Sequence, residues 1–361
     1  MKHCLALACV FNVTAAAAGG LDQSGQPMAL LFKEGNNAEI AVGGWWPTVE
    51  GADDDGVGSG NVYGSISDLF AGVKLDIAPQ WSVALLLDQP YGVNLDYPDG
   101  AFPYAGTKAD ADTVAATALV RWRGPSGFAL HGGLRAERLG AEVTLDGSAY
   151  GPLAGYRWTG DDDWGFGWVA GASWERPELG MRVALTYGSE IRHDLDSTEN
   201  YFGASTTRVT MPQSVNLDFQ TGLDPRTLLY GSVRWVEWDG WDVTPPGLAA
   251  AAGSSLVMLE SNAWTYRIGI GRQLTTAFSA GVELAHETAV DAMQSPLSPY
   301  DGFTALSVGS TYALPSGLRL SGSVGYQWLG NADVAAPLYP VVGEFGDNHA
   351  VAAQVRVGMS F

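Results

Sequence analysis

The chain has 361 residues, 46% hydrophobic and 16% charged, and 39 acidic against 19 basic side chains give a formal net charge of −20. That balance excludes nucleic-acid binding, which needs a basic patch to neutralise phosphates. With 47 glycines and 13 tryptophans the composition suits a membrane β-protein better than a soluble enzyme, yet no apolar run after the leader reaches the length of about 18 residues that a spanning helix needs.

At the start, Lys2 and His3 precede the apolar run Cys4–Val13 and the small residues Ala15–Ala18, which predicts a secretory signal peptide over residues 1–18. Both cysteines, Cys4 and Cys9, fall inside it, so no disulfide, thiol chemistry or Cys-ligated metal is expected of the mature chain. Ala6-Leu7-Ala8 is a poor lipoprotein signal before Cys9. Residues 19–37 then lead into a strand-forming region over 38–361.

Six tight connections punctuate that region, at Ala78-Pro79-Gln80, Gly124–Gly127, Pro177–Gly180, Leu223–Arg226, Leu274–Ala277 and Pro315-Ser316-Gly317. Longer stretches separate them at 49–67, 89–112, 139–163, 193–207, 239–262, 288–301 and 329–347. Six short turns imply about fourteen strands. Short turns at one end, long loops at the other and an even strand count describe an all-β, antiparallel, up-and-down transmembrane barrel of the bacterial outer membrane.

The strands carry the matching period of two. Met181, Val183, Leu185 and Tyr187 oppose Arg182 and Thr186; Trp264, Tyr266, Ile268 and Ile270 oppose Thr265 and Arg267. Phe278, Val282 and Leu284 oppose Ser279 and Glu283, and Leu318, Leu320, Val324, Tyr326 and Trp328 oppose Arg319, Ser321, Ser323 and Gln327. Trp45, Trp46, Trp81, Trp122, Trp174, Trp235, Trp238 and Trp328 fall near predicted strand ends, as interfacial girdles require. The last strand sets Val351, Ala353, Val355, Val357, Met359 and Phe361 against Gln354, Arg356 and Ser360. Its terminal aromatic resembles the signal read by the barrel-assembly machinery. A secreted soluble β-sandwich could share this alternation, but lipid tolerates no open sheet edge, which favours closure.

Parity places Arg121, Arg135, Glu137, Arg182, Asp218, Arg234, Arg267, Glu283, Arg319 and Arg356 in the lumen. They either pair with one another and stiffen the wall, or one or two hold an anionic head group with the guanidinium fork. Asp53-Asp54-Asp55 and Asp161-Asp162-Asp163 are expected in outer loops, as solvated acidic stretches or as Ca²⁺ or Mg²⁺ bridges to lipopolysaccharide. Ala101–Ala105, with Phe102 and Tyr104, and Pro245–Ala252 followed by Leu256–Leu259, with Leu256 and Met258, are apolar for outer loops. They either pack on themselves or offer a landing surface to a hydrophobic ligand.

The histidines beyond the leader, His131, His193, His286 and His349, form no metal-spaced pair, and no Gly-x-Ser-x-Gly elbow is present. No catalytic residue, metal or cofactor is therefore expected. His286 beside Glu287 is the one suggestive pair.

Trp164-Gly165-Phe166-Gly167-Trp168 followed by Arg182–Glu190 resembles a strand pair of the FadL family of long-chain fatty acid transporters. Met211-Pro212 leading into Val215–Phe219, then Leu228–Trp238, resembles that family's next pair, and Trp264–Gly271, Leu306–Tyr312 and the C-terminal strand continue the series. The resemblance covers most of the chain from Trp81 onward. It implies a monomeric fourteen-stranded barrel that takes hydrophobic molecules from outside, with long-chain fatty acids first in line. These would rest in the lumen and leave sideways, through a wall opening made by a kink in the third strand. Its surroundings would be outer-membrane lipid and lipopolysaccharide.

Here Trp81–Leu87 begins such a strand and Asp88-Gln89-Pro90-Tyr91-Gly92 interrupts it, because Pro90 cannot donate to the ladder and Gly92 permits sharp bending. Either this is the kink, or the strand simply ends. Arg135 lies in the strand that roughly corresponds to the family's basic ligand contacts, with Arg182, Arg234 and Arg267 as further candidates. The chain departs from the family in its plug: residues 19–37 lack the Asn-Pro-Ala motif and form at most a short plug-like segment, with Leu21, Met28, Leu30, Leu31 and Phe32 for lumen packing. A diffusion porin for small polar solutes and a channel for aromatic hydrocarbons are the alternatives.

Overall fold

The structure, a computed structural model, describes residues 21–290, 292–336 and 339–361; the predicted signal peptide and residues 19–20 lie outside the described residues. Fourteen antiparallel strands make up the wall. They are β1 (Asn37–Thr48), β2 (Ile66–Ala78), β3 (Trp81–Asp88 and Gly92–Asp96), β4 (Lys108–Arg123), β5 (Phe128–Leu145), β6 (Tyr156–Arg176) and β7 (Met181–Gly188 and Ile191–Glu199). There follow β8 (Gly203–Met211 and Ser214–Asp224), β9 (Thr227–Val236), β10 (Ala263–Gln273), β11 (Phe278–Glu287), β12 (Phe303–Ala313), β13 (Leu318–Leu329) and β14 (His349–Ser360). β14 pairs β1 from Asn37↔Ser360 to Thr48↔His349, which closes the barrel and leaves no edge for lipid to meet. The six predicted turns fall where the sequence put them, at the same end as Asn37 and Ser360.

The dyad repeat determines which face meets lipid. In β1, Ile40, Val42 and Trp46 are exposed while Asn37, Glu39, Ala41 and Trp45 are buried; in β14, Val351, Val355 and Met359 face out and Ala350, Ala352 and Gln354 in. Three strands are kinked. β7 and β8 bend together at Ser189–Glu190 and Pro212–Gln213, with pairing resumed on both sides at Gly188↔Ser214 and Ile191↔Met211. β3 bends at Gln89–Pro90, and its parity flips there: Trp81, Leu85 and Leu87 face outward, whereas Tyr91, Val93 and Leu95 face in.

The strands run farther outward than the sequence pattern indicated. The expected loop 139–163 shrinks to the connection between Leu145 and Tyr156, and 193–207 to that between Glu199 and Gly203. Apolar alternation stops at the membrane boundary, but the hydrogen-bond ladder does not. Outward-facing Arg138, bonded to Asp112 and Asp162 at 2.6 Å each, sits on strand above the apolar band. The triplet Asp161–Asp163 is therefore part of β6 and not a loop. Asp53 ends a short strand and caps its own turn, its Oδ1 accepting from the backbone N–H of Asp55 and Val57. Two tryptophans also leave the girdle. Trp45 neighbours the lipid-facing Trp46, so parity turns it inward, where its Nε1–H donates to Gln327 Oε1 at 2.7 Å; Trp238 lies beyond the end of β9 and is buried under the loops.

The outer loops fold over the mouth as a cap. A three-stranded sheet (Gly51–Asp53, Ala332–Ala336, Tyr339–Phe345), a hairpin (Trp241–Val243, Val257–Leu259) and a short helix (Pro246–Ala252) build it. Glu199 from the end of β7 accepts the helix's first N–H groups, from Gly247 and Leu248, at 2.9 and 2.8 Å. Inside, Tyr97 and Phe102 stack at 5.9 Å, with Tyr104, Tyr150 and Phe345 edge-on or tilted around them. Burial raises the phenols of Tyr97 and Tyr300 well above their ordinary value, so both stay neutral.

Candidate functional site

The lumen site begins with residues 21–32, which run inside the barrel. Met28, Leu30 and Leu31 pack on Ala41, Phe70, Leu86 and Leu119 of the wall. Ahead of them the segment attaches to the β3 kink by backbone: Gln23 N–H donates to Pro90 C=O (2.8 Å) and Gly92 N–H to Leu21 C=O (3.0 Å). The groups that the bend removes from the ladder thus find partners in the N-terminal segment. Side chains extend the attachment. Asp22 forms a buried ion pair with Arg234 (2.7 Å), Ser24 Oγ–H donates to Asp88 (2.7 Å), Gln26 Nε2–H donates to Tyr91 Oη (3.0 Å), and Arg135 bonds Gln26.

Below this attachment lies a cavity of ≈ 90 Å³ between the segment and the wall, lined by Met28, Phe32, Arg182, Asp218, Arg234 and Arg267. Most of the lumen arginines are spoken for: Arg121 by Glu175 (2.6 Å), Arg234 by Asp22, Arg267 by Glu283 (3.3 Å) and Arg356 by Glu39 (3.6 Å). Arg182 differs. Its guanidinium lies 4.6 Å from the Phe32 ring centroid, and its Nε has no hydrogen-bond partner among the described residues.

Above the attachment lies a second cavity of ≈ 80 Å³ with an apolar wall that includes Leu21, Val93, Leu139, Val143, Trp158, Met211 and Leu256, and with no Lys or Arg. Tyr91 and Gly92 belong to this wall and also to a crevice of ≈ 190 Å³ in the barrel side, beside Ser65, Ser67, Gln89 and Asn94. That crevice is a true break in the ladder. Ile66–Phe70 of β2 pair with β1, but β2 meets β3 only from Ala71↔Leu87 toward the turn. In between, Leu69 N–H reaches only the side chain of Gln89 (2.8 Å), and Gly64 N–H bonds Asn94 C=O (2.9 Å) above. A third crevice, of ≈ 290 Å³, lies between cap loops and is lined by Leu256, Met258, Val290, Met293 and Tyr300. Leu256 therefore lines both the cap crevice and the upper cavity, as Tyr91 lines both that cavity and the side crevice.

A family model described as "Outer membrane protein transport protein (OMPP1/FadL/TodX)" matches residues 70–339, about three quarters of the sequence. The chain belongs to the OMPP1/FadL/TodX family. It is accordingly a multi-pass Gram-negative outer-membrane barrel, and a transport channel rather than an enzyme. A Pseudomonas aeruginosa FadL homologue shares the fold with TM-score 0.73 at 14% identity, over 93% of this chain and 92% of that one. The Pseudomonas putida toluene transporter TodX (TM-score 0.67, 12% identity, 93% and 92% coverage) and the Ralstonia pickettii toluene transporter TbuX (0.65, 12%, 93% and 92%) do so too. No curated protein matches the sequence significantly.

Within this FadL/TodX-family barrel the sequence-predicted residues separate into groups. Pro90, Tyr91 and Gly92 lie together at the break in β3, which resumes beyond it instead of ending. Arg182, Arg234 and Arg267 share the lower cavity, while Arg135 is buried and engaged with Gln26 and with Thr117 (2.9 Å). Leu256 and Met258 line the cap crevice. Phe102 and Tyr104 are 3% and 0% exposed inside the cap's aromatic cluster, so self-packing accounts for them. His286 faces out and Glu287 in, so they form no pair. Sequence reading missed Asp22, Gln23 and Gln26: Asp22 and Arg234 lie 212 positions apart, and only the lumen-facing parity of Arg234 hinted at a partner.

Proposed function

We propose that this chain passes small hydrophobic molecules from the cell exterior to the outer membrane without an energy source. They would enter at the Met258 crevice, pass Leu256 into the apolar cavity, and leave sideways past Tyr91 between β2 and β3. The observation that carries this reading is the upper cavity itself, apolar, free of basic residues and sharing the wall of Tyr91, Gly92 and Val93 with the crevice at the break. Beneath it the lumen is closed by charge pairs and the N-terminal segment, so the route of lowest desolvation cost turns outward. The size of the cavity and its lack of basic residues favour monoaromatic hydrocarbons, in keeping with the toluene transporters among its structural neighbours. Long-chain fatty acids are the second reading, supported by Arg182, whose Nε is free for a carboxylate at the head of the lower cavity. Residues 1–18 act in this scheme as a signal peptide, residues 19–37 as a short plug-like segment, and Phe361 as the barrel-assembly signal of a monomer set among lipid and lipopolysaccharide.

Uptake of labelled toluene, palmitate and sucrose by cells lacking their own transporter, with and without this protein, tests the scheme. Toluene or palmitate uptake above the vector control, with sucrose unchanged, is expected. Sucrose flux alone would make the barrel a porin and overturn the proposal.

A further inference from the structure

The β2–β3 break is not the only interruption in the described wall. β6 is laddered to β5 from Tyr156 to Trp174, but to β7 only at its ends, at Trp158–Gly160 against Ser197–Glu199 and Val169–Arg176 against Met181–Gly188. Between these, residues 161–168 of β6 and 189–196 of β7 run side by side with no ladder. Few bonds cross the seam: Ser189 N–H to Trp168 C=O and Trp168 N–H to Ser189 Oγ at 2.9 Å near one end, and Asp194 N–H to the Asp163 carboxylate at 3.2 Å, which His193 Nδ1 also approaches at 3.5 Å.

Its middle is packed closely by β7. A Cβ on Gly165 would lie 2.5 Å from Ile191 Cγ2, 2.7 Å from Arg192 C=O and 2.8 Å from His193 Cε1, and one on Gly167 2.7 Å from Ile191 Cγ1, so the two glycines admit Ile191, with His193 beside it, against β6. On the outside, Trp164, Phe166 and Trp168 face the lipid with 53%, 75% and 49% exposure. On the inside, Trp158 and Leu195 from the seam's outer end line the same apolar cavity that reaches Tyr91. The two breaks lie on one line of paired residues across the wall, because Tyr91 N–H bonds Thr113 Oγ1, Thr113 pairs with Leu139, and Leu139 with Asp163. Backbone in contact with lipid must be covered when ladder bonds are missing, and apolar packing that covers it yields to another apolar molecule more readily than a ladder would.

We propose that the β6–β7 seam is a second lateral portal for neutral molecules the size of one aromatic ring, barred by Ile191. It rests on the hydrophobic-channel reading above. A Gly167→Cys/Ile191→Cys pair can lock it, since a Cβ on Gly167 meets only side-chain atoms and one bond length added to its 2.7 Å contact with Ile191 Cγ1 puts the two Cβ atoms within about 4.2 Å, inside disulfide range. A Ser65→Cys/Asn94→Cys pair, placed where Asn94 Nδ2–H reaches Ser65 C=O at 3.2 Å, seals the β2–β3 opening.

With Cys4 and Cys9 changed to Ser, toluene uptake is measured for each lock alone and for both, before and after dithiothreitol, in barrels whose heat-modifiable gel mobility confirms folding. The sealed β2–β3 variant should retain part of the wild-type uptake, the double lock should fall to the vector level, and reduction should restore both. In the sealed background Ile191→Ala, which removes the bar without a cross-link, should speed the residual uptake. A fall to the vector level on sealing β2–β3 alone, or residual uptake indifferent to the seam lock and to Ile191→Ala, overturns the second portal and leaves the channel reading standing. Wild-type protein that raises uptake of neither toluene nor palmitate overturns both.

Discussion

The lower and upper halves of the lumen are held together by opposite means. Below the β3 kink, charge is matched with charge, between nearby strands for Glu283 with Arg267, Glu175 with Arg121 and Glu39 with Arg356, and from the N-terminal segment to the wall for Asp22 with Arg234. Above it, Tyr97, Phe102, Tyr104 and Phe345 form a closed aromatic cluster over an apolar cavity. A hydrophobic molecule is at home in the second environment and excluded from the first, which demands exact polar partners. The wall breaks where the two halves meet, at Tyr91 between the cavity and the side crevice. In the proposed scheme the contrast makes the barrel a filter that stops its cargo by polarity and turns it sideways.

The comparison breaks most severely at Asp22. Asp22→Ala leaves Arg234 buried without its counter-ion, a loss of about 3–5 kcal/mol for a pair of this kind. The expected result is a lower thermal midpoint of the heat-modifiable barrel, together with protease sensitivity of residues 21–32. Asp22→Ala/Arg234→Met should recover most of the midpoint, because it removes the orphaned charge; no recovery would mean that the pair does not hold the segment. In the upper half, Tyr104→Ala removes a wholly buried ring and the hydroxyl oxygen that accepts from Ala336 N–H (3.0 Å), at about 3–5 kcal/mol for a large-to-small core change. Hydrogen exchange should rise in the cap strands while β9–β13 keep their protection.

A gentler change sharpens the comparison by altering passage without altering either half. Leu256 lines both the cap crevice and the upper cavity. Leu256→Trp should slow toluene uptake several-fold with little effect on thermal stability, whereas Leu256→Ala should leave it equal or faster. Equal rates for both variants would place the entry route elsewhere.

Much of this contrast was legible in the sequence, and the part that was not has a physical reason. Alternation in β10, β13 and β14 identified the lipid face because lipid punishes a polar residue there, and Pro90 with Gly92 marked the kink because neither is at ease in a central strand. Above the membrane boundary nothing selects apolar residues outward, so Asp161–Asp163 read as loop although they lie on β6. Parity put Arg135 and Arg234 in the lumen but could not name their partners, which come from an N-terminal segment whose own position no periodicity fixes. The apolar stretch around Phe102 and Tyr104 announced burial or a landing site equally well; only the packing against Phe345, far along the chain, decides between them.

Arg182 is the residue at which the two substrate readings separate. It lines the lower cavity with Asp218, lies against Phe32 and keeps its Nε unpartnered. A carboxylate placed there would gain a charge-assisted hydrogen bond, which mutational experience values at about 1.5–3 kcal/mol. Arg182→Gln should therefore weaken palmitate binding by about tenfold or more, each factor of ten being about 1.4 kcal/mol, and leave toluene binding in the upper cavity unchanged. If palmitate affinity survives the substitution, no head group rests on Arg182, and the lower lumen serves only to hold the N-terminal segment against the wall.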